Sequence, residues 1–263
     1  YSYDVTIATS DSDFDKPFVP HNDNTPTEHG FASLVPLSDS SFYAVWLDGR
    51  NTMGGHGHDD EHSSDITSAM TLRGSLVTLG GEVIDEEIDP NICDCCNTSL
   101  VRTSNGLLAA YRDRTQNEIR DIYVNSYSFE TNTWGNPKMV HNDNWQIAAC
   151  PVNGPMLDAK GDNVAISWFT GANNEPIVKL AFSSDAGDSF TEPIIIDNSI
   201  PLGRVDVILT SDDIAWISWM TRVDNSAVLK LAEVSKTAGV LGIHTISEDR
   251  KSTRLNSSHQ IIS

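Results

Sequence analysis

The stretch FTEPIIIDNS at residues 190–199 decides the fold, because its residue pattern occurs three times in the chain. WGNPKMVHND at residues 134–143 and FDKPFVPHND at residues 14–23 share its aromatic residue, the proline three positions later and a similar ending. The copies begin at residues 14, 134 and 190, so successive copies lie 120 and 56 residues apart. One interval is about twice the other, which indicates a regular internal repeat.

Four other segments each read as an apolar strand, a polar turn and a second strand that contains alanine and an aromatic residue. They cover residues 31–46, 99–111, 152–168 and 205–219. Their turns are rich in Ser, Asp, Asn and Gly, which favour turns. No long window shows the 3.6-residue period of a helical solenoid. We therefore predict an all-β fold, a β-propeller built of successive four-stranded blades.

One further motif precedes the last copy of the repeat. Residues 183–190 read SSDAGDSF and match the Asp-box pattern S-x-D-x-G-x-[ST]-[FW], so the sequence resembles the sialidase-like (BNR/Asp-box repeat) β-propeller superfamily. In such a hairpin the aspartate accepts backbone N–H bonds, the glycine supplies positive φ and the aromatic ring fills a gap between sheets. Residues 10–14 resemble a shortened copy, and residues 131–134 retain its aromatic end. We assign this structural role to Ser183, Asp185, Gly187 and Phe190.

The repeats predict a single propeller domain at residues 1–249. Residues 1–27 supply the outer strands of a truncated blade, and successive blades are predicted at residues 28–91, 92–148, 149–203 and 204–249. The resemblance implies six blades in a complete propeller, so we expect this chain to be an incomplete fragment. Residues 250–263 contain three basic residues, no acidic residue and no strand alternation. We predict that they are a non-native tail.

The charge excludes several partners. The chain carries 17 basic and 37 acidic residues, a net charge of −20. Such a field repels nucleic acid and anionic membrane surfaces. The apolar runs fall short of the ~20 residues that a membrane span needs, so we predict neither nucleic acid binding nor membrane insertion. No signal peptide is visible at the start of the sequence, and we expect a periplasmic or secreted protein.

Propeller geometry predicts a face on which chemically distinctive residues collect, because the loops before first strands and after second strands share one end of the barrel. Guanidinium groups bind carboxylates bidentately and suit a small anionic or glycan ligand. The predicted substrate-binding residues are Arg50, Arg112, Arg114, Arg120, Arg204 and Asn153. Neighbouring acids suit general acid–base catalysis of glycoside cleavage. The predicted catalytic residues are Asp48, Asp113, Glu118, Asp121, Asp206 and Tyr111. The same alternation of charges also fits ion pairs between neighbouring blades.

The sequence is also similar to a narrower group of bacterial sialidase-like propellers that are labelled exo-α-sialidase or glycosyl hydrolase. The shared motifs include CDCC at 93–96, YRDR at 111–114, EIRD at 118–121 and CPVNGP at 150–155. The resemblance implies a glycoside hydrolase acting on an acidic, sialic-acid-type sugar. The Arg-Ile-Pro motif of true sialidases is missing from this sequence. The alternative is a non-enzymatic propeller that binds an anionic ligand or a soft metal.

Cysteines and histidines form the last candidate site. Three of the four cysteines lie within residues 93–96, and the fourth is residue 150, each before a first strand. The candidate ligands of Zn²⁺ or Cu(I) are Cys93, Cys95, Cys96, Cys150, His56, His58 and His62. One or two disulfides, or buried free thiols, fit the same cysteines. C-x-C-C is not a standard zinc spacing, so the three interpretations remain open and no cofactor is assigned from sequence.

Overall fold

The computed structural model describes residues 2–8, 17–21, 23–52, 69–78, 83–224 and 226–249. Within these residues, seventeen β-strands form four antiparallel sheets, accompanied by two short 3₁₀ helices at Arg50–Thr52 and Ala172–Asn174 and by no α-helix. No helix of the described residues is long and apolar enough to span a membrane.

The four sheets follow one another along the chain. The first contains β1 His29–Ser38, β2 Ser41–Asp48, β3 Met70–Thr78 and β4 Val83–Ile92. The second contains β5 Ser99–Arg102, β6 Gly106–Arg112, β7 Ile122–Ser128, β8 Thr133–Trp134 and β9 Lys138–Met139. The third contains β10 Met156–Lys160, β11 Asn163–Thr170, β12 Ile177–Ser183 and β13 Ile194–Asp197. The fourth contains β14 Pro201–Leu209, β15 Ile214–Val223, β16 Ser226–Ser235 and β17 Gly239–Asp249.

Each sheet pairs its strands in chain order, as the blades of a propeller do; in the second, β8 and β9 both pair with β7. The first strands β1, β5, β10 and β14 contact one another in succession, so they form the inner lining. The predicted all-β propeller fold is confirmed. The six-bladed closed form, the domain boundaries and the foreign tail stay predictions; the tail lies outside the described residues, as do residues 9–16 of the shortened Asp-box copy.

The hydrophobic core lies between consecutive sheets. Every residue of the second strand β6 is buried, because it is covered on both sheet faces. Strand β14 alternates buried with less buried residues, because one of its faces packs on the third sheet. Three clusters of buried side chains fill the gaps between the first and second, second and third, and third and fourth sheets.

The repeated sequence has a structural role across these gaps. Asp143 follows the outer strand of the second sheet, and its Oδ2 accepts a 2.7 Å hydrogen bond from Nε1 of Trp168 on β11. Asp197 accepts the same 2.7 Å bond from Trp219 on β15 of the next sheet. Both indoles are fully buried. The aspartate of the repeat therefore ties each sheet to the next, because a buried indole N–H needs an acceptor.

The hairpin at residues 183–190 closes the outer part of the third sheet. Asp185 Oδ1 accepts hydrogen bonds from Ser183 Oγ (2.7 Å) and from the Ser189 N–H (2.9 Å). Gly187 has φ +89°, and an added Cβ would lie 2.5 Å from the Leu108 side chain. Phe190 packs against the core cluster between the second and third sheets. The motif thus has a turn and packing role, and it supplies no side chain to the face described below.

Candidate functional site

The loops before the first strands and after the second strands meet at one end of the propeller, which we call the loop face. His29 at the start of β1 pairs with Asp48 at the end of β2. The Cys93 N–H donates a 3.0 Å bond to the carbonyl of Arg112, which ends β6. The predicted catalytic, substrate-binding and metal residues of the described chain come from this end, because antiparallel pairing sets each first-strand start beside a second-strand end. The exception is Asp206, which was predicted before the first strand of the last blade but lies inside β14, opposite Ser218.

Arg112 bonds to backbone oxygens. Its guanidinium donates to the carbonyls of Asn153 (2.8 and 3.0 Å), Phe169 (2.7 Å) and Arg120 (2.5 Å), and it lies 4.8 Å from the centre of the Trp145 ring. Only 2% of the residue is exposed. Arg112 therefore joins the second and third sheets, and no part of its fork faces a ligand.

Arg114 and Arg120 share one carboxylate. Glu118 accepts bonds from Arg114 Nη2 at 2.7 Å and from Arg120 Nη2 at 2.8 Å. Arg114 also bonds to Asp94 at 3.0 Å, and Arg120 Nη1 lies 3.4 Å from Cys93 Sγ. Burial opposes ionisation of Glu118, but the two guanidinium groups outweigh it and lower the pKa of Glu118. A carboxylate held this way is a structural counter-ion and a poor proton donor.

Arg50 is the equivalent cation of the first sheet. It contacts Asp48 through Nη2 at 2.7 Å and Nε at 2.8 Å, and it bonds to Asp85 at 2.9 Å. Asp48 is fully buried and also accepts the Trp46 indole N–H at 2.9 Å. Although burial opposes it, these bonds lower the pKa of Asp48. The structure therefore places Asp48 as the charged partner of Arg50.

Asn153 and Arg204 connect the third and fourth sheets. Asn153 Oδ1 accepts the Arg204 N–H at 2.9 Å, and its Nδ2 donates to the Leu202 carbonyl at 3.2 Å. Asn97 makes the corresponding contact one sheet earlier, where its Oδ1 accepts the Gly154 N–H at 3.0 Å. Arg204 is exposed, and its guanidinium donates to a backbone carbonyl at 2.8 Å. The asparagine of the CPVNGP motif is thus an inter-sheet tie.

Two other predicted catalytic acids accept hydrogen bonds from backbone N–H groups. Asp121 is buried, and its carboxylate oxygens accept the N–H groups of Asn144 at 2.8 Å and Trp145 at 3.0 Å. Burial nevertheless raises the pKa of Asp121. Asp206 is exposed and accepts the N–H of Val207 at 2.9 Å. Asp121 is withdrawn from solvent, and Asp206 bonds to the backbone of its own neighbour, so neither stands out as a catalytic acid.

Tyr111, Asp89 and Asp113 form a distinct cluster between the first and second sheets. The buried Tyr111 O–H donates to Asp89 Oδ2 at 2.7 Å, so this tyrosine takes the place that tryptophan holds in the third and fourth sheets. Burial, then the charge and hydrogen bond of Asp89, raise the pKa of Tyr111, which makes it a poor nucleophile. Burial and the charge of Asp89 raise the pKa of Asp113 to about 7. Asp113 is therefore about half protonated at neutral pH.

Three of the four cysteines meet, and the fourth lies near them. Cys93 Sγ lies 3.3 Å from Cys96 Sγ and 4.0 Å from Cys95 Sγ, and the exposed Cys150 lies beside Cys95. Hydrogen bonds from Cys95 and Cys96, together with the charge of Arg120, lower the pKa of Cys93 although it is buried. Contact with Cys93, together with burial, raises the pKa values of Cys95 and Cys96, so Cys93 is the thiol of the cluster that ionises most readily. His56, His58 and His62 lie outside the described residues.

Sequence reasoning missed a second polar cluster at the start of the chain. It contains His21, Asp23 and His29, which hydrogen-bond to one another. A signal was present, since residues 21–23 and 141–143 both read HND within the repeat. Asp89 was missed because its segment lacks the aromatic residue and proline that mark the other copies.

Comparisons with known proteins support the fold. No protein-family model matches the sequence, and no curated protein matches it. One similar solved structure is Zg3597, a family 117 glycoside hydrolase produced by the marine bacterium Zobellia galactanivorans: TM-score 0.51, 11% identity, with 84% of this chain and 69% of that chain covered. Another is a family PL25 ulvan lyase bound to -[GlcA(1-4)Rha3S]-: TM-score 0.53, 13% identity, with 89% of this chain and 59% of that chain covered. At such identities the likeness concerns the fold alone.

Proposed function

We propose that this chain is the propeller of a carbohydrate-active enzyme that cleaves an acidic glycan by acid–base chemistry on its loop face. The observation that carries the proposal is the Asp89–Asp113 cluster, in which Asp113 has a pKa raised to about 7. A general acid for glycoside cleavage needs a proton at neutral pH, and a carboxyl group beside a second carboxylate retains one. Asp113 is the proposed donor to the leaving oxygen.

The substrate class rests on two supports. The sequence resemblance implies a sialic-acid-type sugar, and the similar PL25 lyase was solved with a glycan that contains GlcA. On this chain, Arg50 and Arg114 keep 17% and 18% of their side chains exposed while paired with Asp85 and Asp94. A substrate carboxylate would contact these guanidinium groups by replacing one of those partners. We expect the protein to act outside the cytoplasm.

Turnover of a panel of acidic and neutral aryl glycosides tests the enzymatic proposal. We expect cleavage of at least one acidic glycoside, and we expect Asp113→Asn to lower kcat by about 10²- to 10⁴-fold, because a positioned general acid supplies that factor. The matched control is Asp212→Asn, an exposed aspartate in the β14–β15 turn at the opposite end. Lack of turnover on every glycoside, or full activity of Asp113→Asn, would contradict the proposal.

A second candidate function, soft-metal binding, is favoured by the cysteine cluster. Three sulfur atoms from Cys93, Cys95 and Cys96 lie within 4.8 Å of one another, with the Cys150 thiol against Cys95. Thiolate ligands select Cu(I) or Zn²⁺, and the adjacent Arg120 offsets part of the thiolate charge. We infer that the reduced protein binds one such ion.

Metal analysis of the reduced protein tests this second candidate. We expect one equivalent of Cu(I) or Zn²⁺ in the wild-type protein and its loss in Cys95→Ser. Arg120→Lys is the matched control, because it keeps the positive charge beside Cys93 and removes no sulfur ligand. A metal-free protein in which all four cysteines are oxidised to disulfides would reject the metal site.

A further inference from the structure

Two histidines and one aspartate converge beside the first sheet, away from the cysteine cluster. The His21 and His29 rings stack with centroids 3.9 Å apart and an interplanar angle of 9°. Asp4 Oδ1 lies 3.7 Å from His21 Nε2 and 3.6 Å from His29 Nδ1. These atoms all lie within 4.8 Å of one another. Three potential ligand atoms from separate parts of the chain therefore lie close together, although the stacked rings hold the two histidine lone pairs nearly parallel.

Asp23 fixes which ring nitrogens face Asp4. Its Oδ1 lies 2.9 Å from His21 Nδ1, and its Oδ2 lies 3.0 Å from His29 Nε2. An ionised carboxylate only accepts hydrogen bonds, so both of these nitrogens carry a hydrogen. In the neutral imidazoles, the lone pairs are then on His21 Nε2 and His29 Nδ1, the two atoms beside Asp4. A carboxylate that accepts the far N–H of a histidine is the usual support of a metal ligand.

His21 Nε2 is a buried polar atom in need of a partner. Only 3% of the His21 side chain is exposed, and Nε2 makes no hydrogen bond within the described part of the chain. His29 Nδ1 likewise points at acceptors, with the Tyr3 carbonyl oxygen 3.3 Å away and Asp4 Oδ1 beyond it. A buried lone pair that faces other acceptors is unfavourable unless a proton or a metal ion lies between them.

We propose that His21 Nε2, His29 Nδ1 and Asp4 Oδ1 bind one divalent transition-metal ion, with Asp23 as the supporting carboxylate. Ligand atoms bound at about 2.1 Å to one ion lie roughly 3–3.5 Å apart, so the two distances to Asp4 need only a small contraction. The stacked rings must also turn so that both lone pairs point at the ion. Two imidazoles and one carboxylate leave coordination positions open, as in catalytic zinc and non-haem iron sites. The nitrogen and oxygen ligands of this site are harder than the sulfur ligands of the cysteine cluster, so the two sites bind separate ions.

Charge and access both suit a cation here. The carboxylates of Asp4, Asp23 and Asp48 surround the two histidines, and Arg50 is the basic side chain that pairs with this group in the described residues. Three negative charges against one positive charge leave about the charge that a divalent ion neutralises. An open cleft of about 810 Å³ lined by Asp4, His21 and Asp23 leads to the site. An ion and an exogenous ligand therefore have a path to the open positions.

Titration of the reduced, chelator-treated chain with Zn²⁺ and with Co²⁺ tests the proposal. We expect one equivalent of Co²⁺ that gives no sulfur-to-cobalt absorption band, in addition to any equivalent held by the cysteines, which the intense sulfur band identifies and Cys95→Ser removes. His21→Ala should abolish this equivalent, and Asp23→Asn should weaken it by about 10- to 100-fold, as loss of a supporting carboxylate does. His141→Ala is the matched control, because it changes the same position of the HND repeat in the second sheet and should leave Co²⁺ binding unchanged.

Two results would overturn the proposal. The first is binding of Co²⁺ to His21→Ala as tightly as to the wild type; the second is an equal loss of binding in His141→Ala. If His21→Ala fails to fold, Asp4→Asn decides the question, because 54% of the Asp4 side chain is exposed and the change is isosteric. Unchanged binding in folded Asp4→Asn would remove Asp4 from the site and reject the proposed ligand set.

Discussion

Two pairs of aspartates occupy equivalent positions beside the first and second sheets but differ in charge. Asp23 belongs to the repeated sequence, and Asp89 makes the aspartate–aromatic bond that the repeat makes elsewhere. Their partners, Asp48 and Asp113, each lie two residues after the large aromatic residue of a second strand. The chain thus contains two similarly placed pairs of partly or fully buried carboxyl groups, although the aromatic donor bonds to Asp48 in the first pair and to Asp89 in the second.

The basic side chains near each pair determine whether its carboxyl groups are charged. In the first pair, His29 Nε2 lies 3.0 Å from Asp23 and 3.5 Å from Asp48, and Arg50 bonds to Asp48. Although burial opposes it, hydrogen bonds from Thr25, His21 and His29 lower the pKa of Asp23, and those from Arg50 and Trp46 lower the pKa of Asp48. No basic side chain of the described chain lies within 4.0 Å of Asp89 or Asp113. Burial raises both pKa values, helped by the charge of Glu87 at Asp89 and by the charge of Asp89 at Asp113. The first pair therefore favours the ionised form and suits a bound cation, whereas the second pair favours the protonated form.

Removing Arg50, the basic side chain of the first pair, should lower the free energy of unfolding by more than the other substitutions considered below. Arg50→Met leaves the buried Asp48 without its counter-charge, and breaking a buried pair in this way costs about 3–5 kcal/mol of unfolding free energy. Urea denaturation at pH 7 measures the loss. Arg204→Met is the matched control, because its guanidinium is exposed and bonds to a backbone carbonyl. A loss below about 1 kcal/mol for Arg50→Met would show that the first pair does not depend on this cation.

The pH dependence of stability should have opposite signs for the two pairs. Asp113 has a folded pKa of about 7 against a usual value of 3.8, so between about pH 4 and 7 the folded state binds more protons than the unfolded state. Its contribution is therefore complete below about pH 4 and is lost as the pH rises to about 7. Asp48 has a lowered pKa, so its contribution is present above about pH 4 and is lost on acidification.

Asp113→Asn and Asp48→Asn separate these two contributions. The full shift of Asp113 corresponds to at most about 4 kcal/mol, and its residual solvent access reduces this to roughly 2 kcal/mol. We expect Asp113→Asn to flatten the decline in unfolding free energy between pH 4 and 7, and Asp48→Asn to leave that decline in place. Urea melts at a series of pH values provide the comparison. The same decline in Asp113→Asn as in the wild type would contradict a shared proton in the second pair.

The fold was predictable because local signals repeat. The aromatic–proline copies and the polar turns each specify a strand and its end, and the aspartate of a copy performs the same task at 143 and at 197. Repetition turns weak local preferences into a reliable prediction, since each sheet must bury the same faces as its neighbours.

The site was only partly predictable, because a sequence shows which residues share a face but does not show which groups neutralise one another. The loop face and the meeting of three cysteines, with the fourth near them, follow from strand order. The same reasoning selected Arg112 as a ligand for substrate, whereas its donors are taken by carbonyls of the next sheet. It also overlooked Asp89, whose repulsion raises the pKa of Asp113, since their proximity arises only when two sheets pack.

The smallest effect concerns Tyr111, for which sequence and structure suggest different roles. If Tyr111 is the counterpart of Trp168 and Trp219, then Tyr111→Phe removes one hydrogen bond to Asp89 and costs about 1 kcal/mol. A nucleophile would behave differently: its removal would abolish turnover of any glycoside that the wild type cleaves. We therefore expect Tyr111→Phe to retain most activity, with Tyr123→Phe on the adjacent strand as the matched control. Complete loss of activity in a folded Tyr111→Phe would mean that the Tyr111–Asp89 hydrogen bond takes part in catalysis and does not only join two sheets.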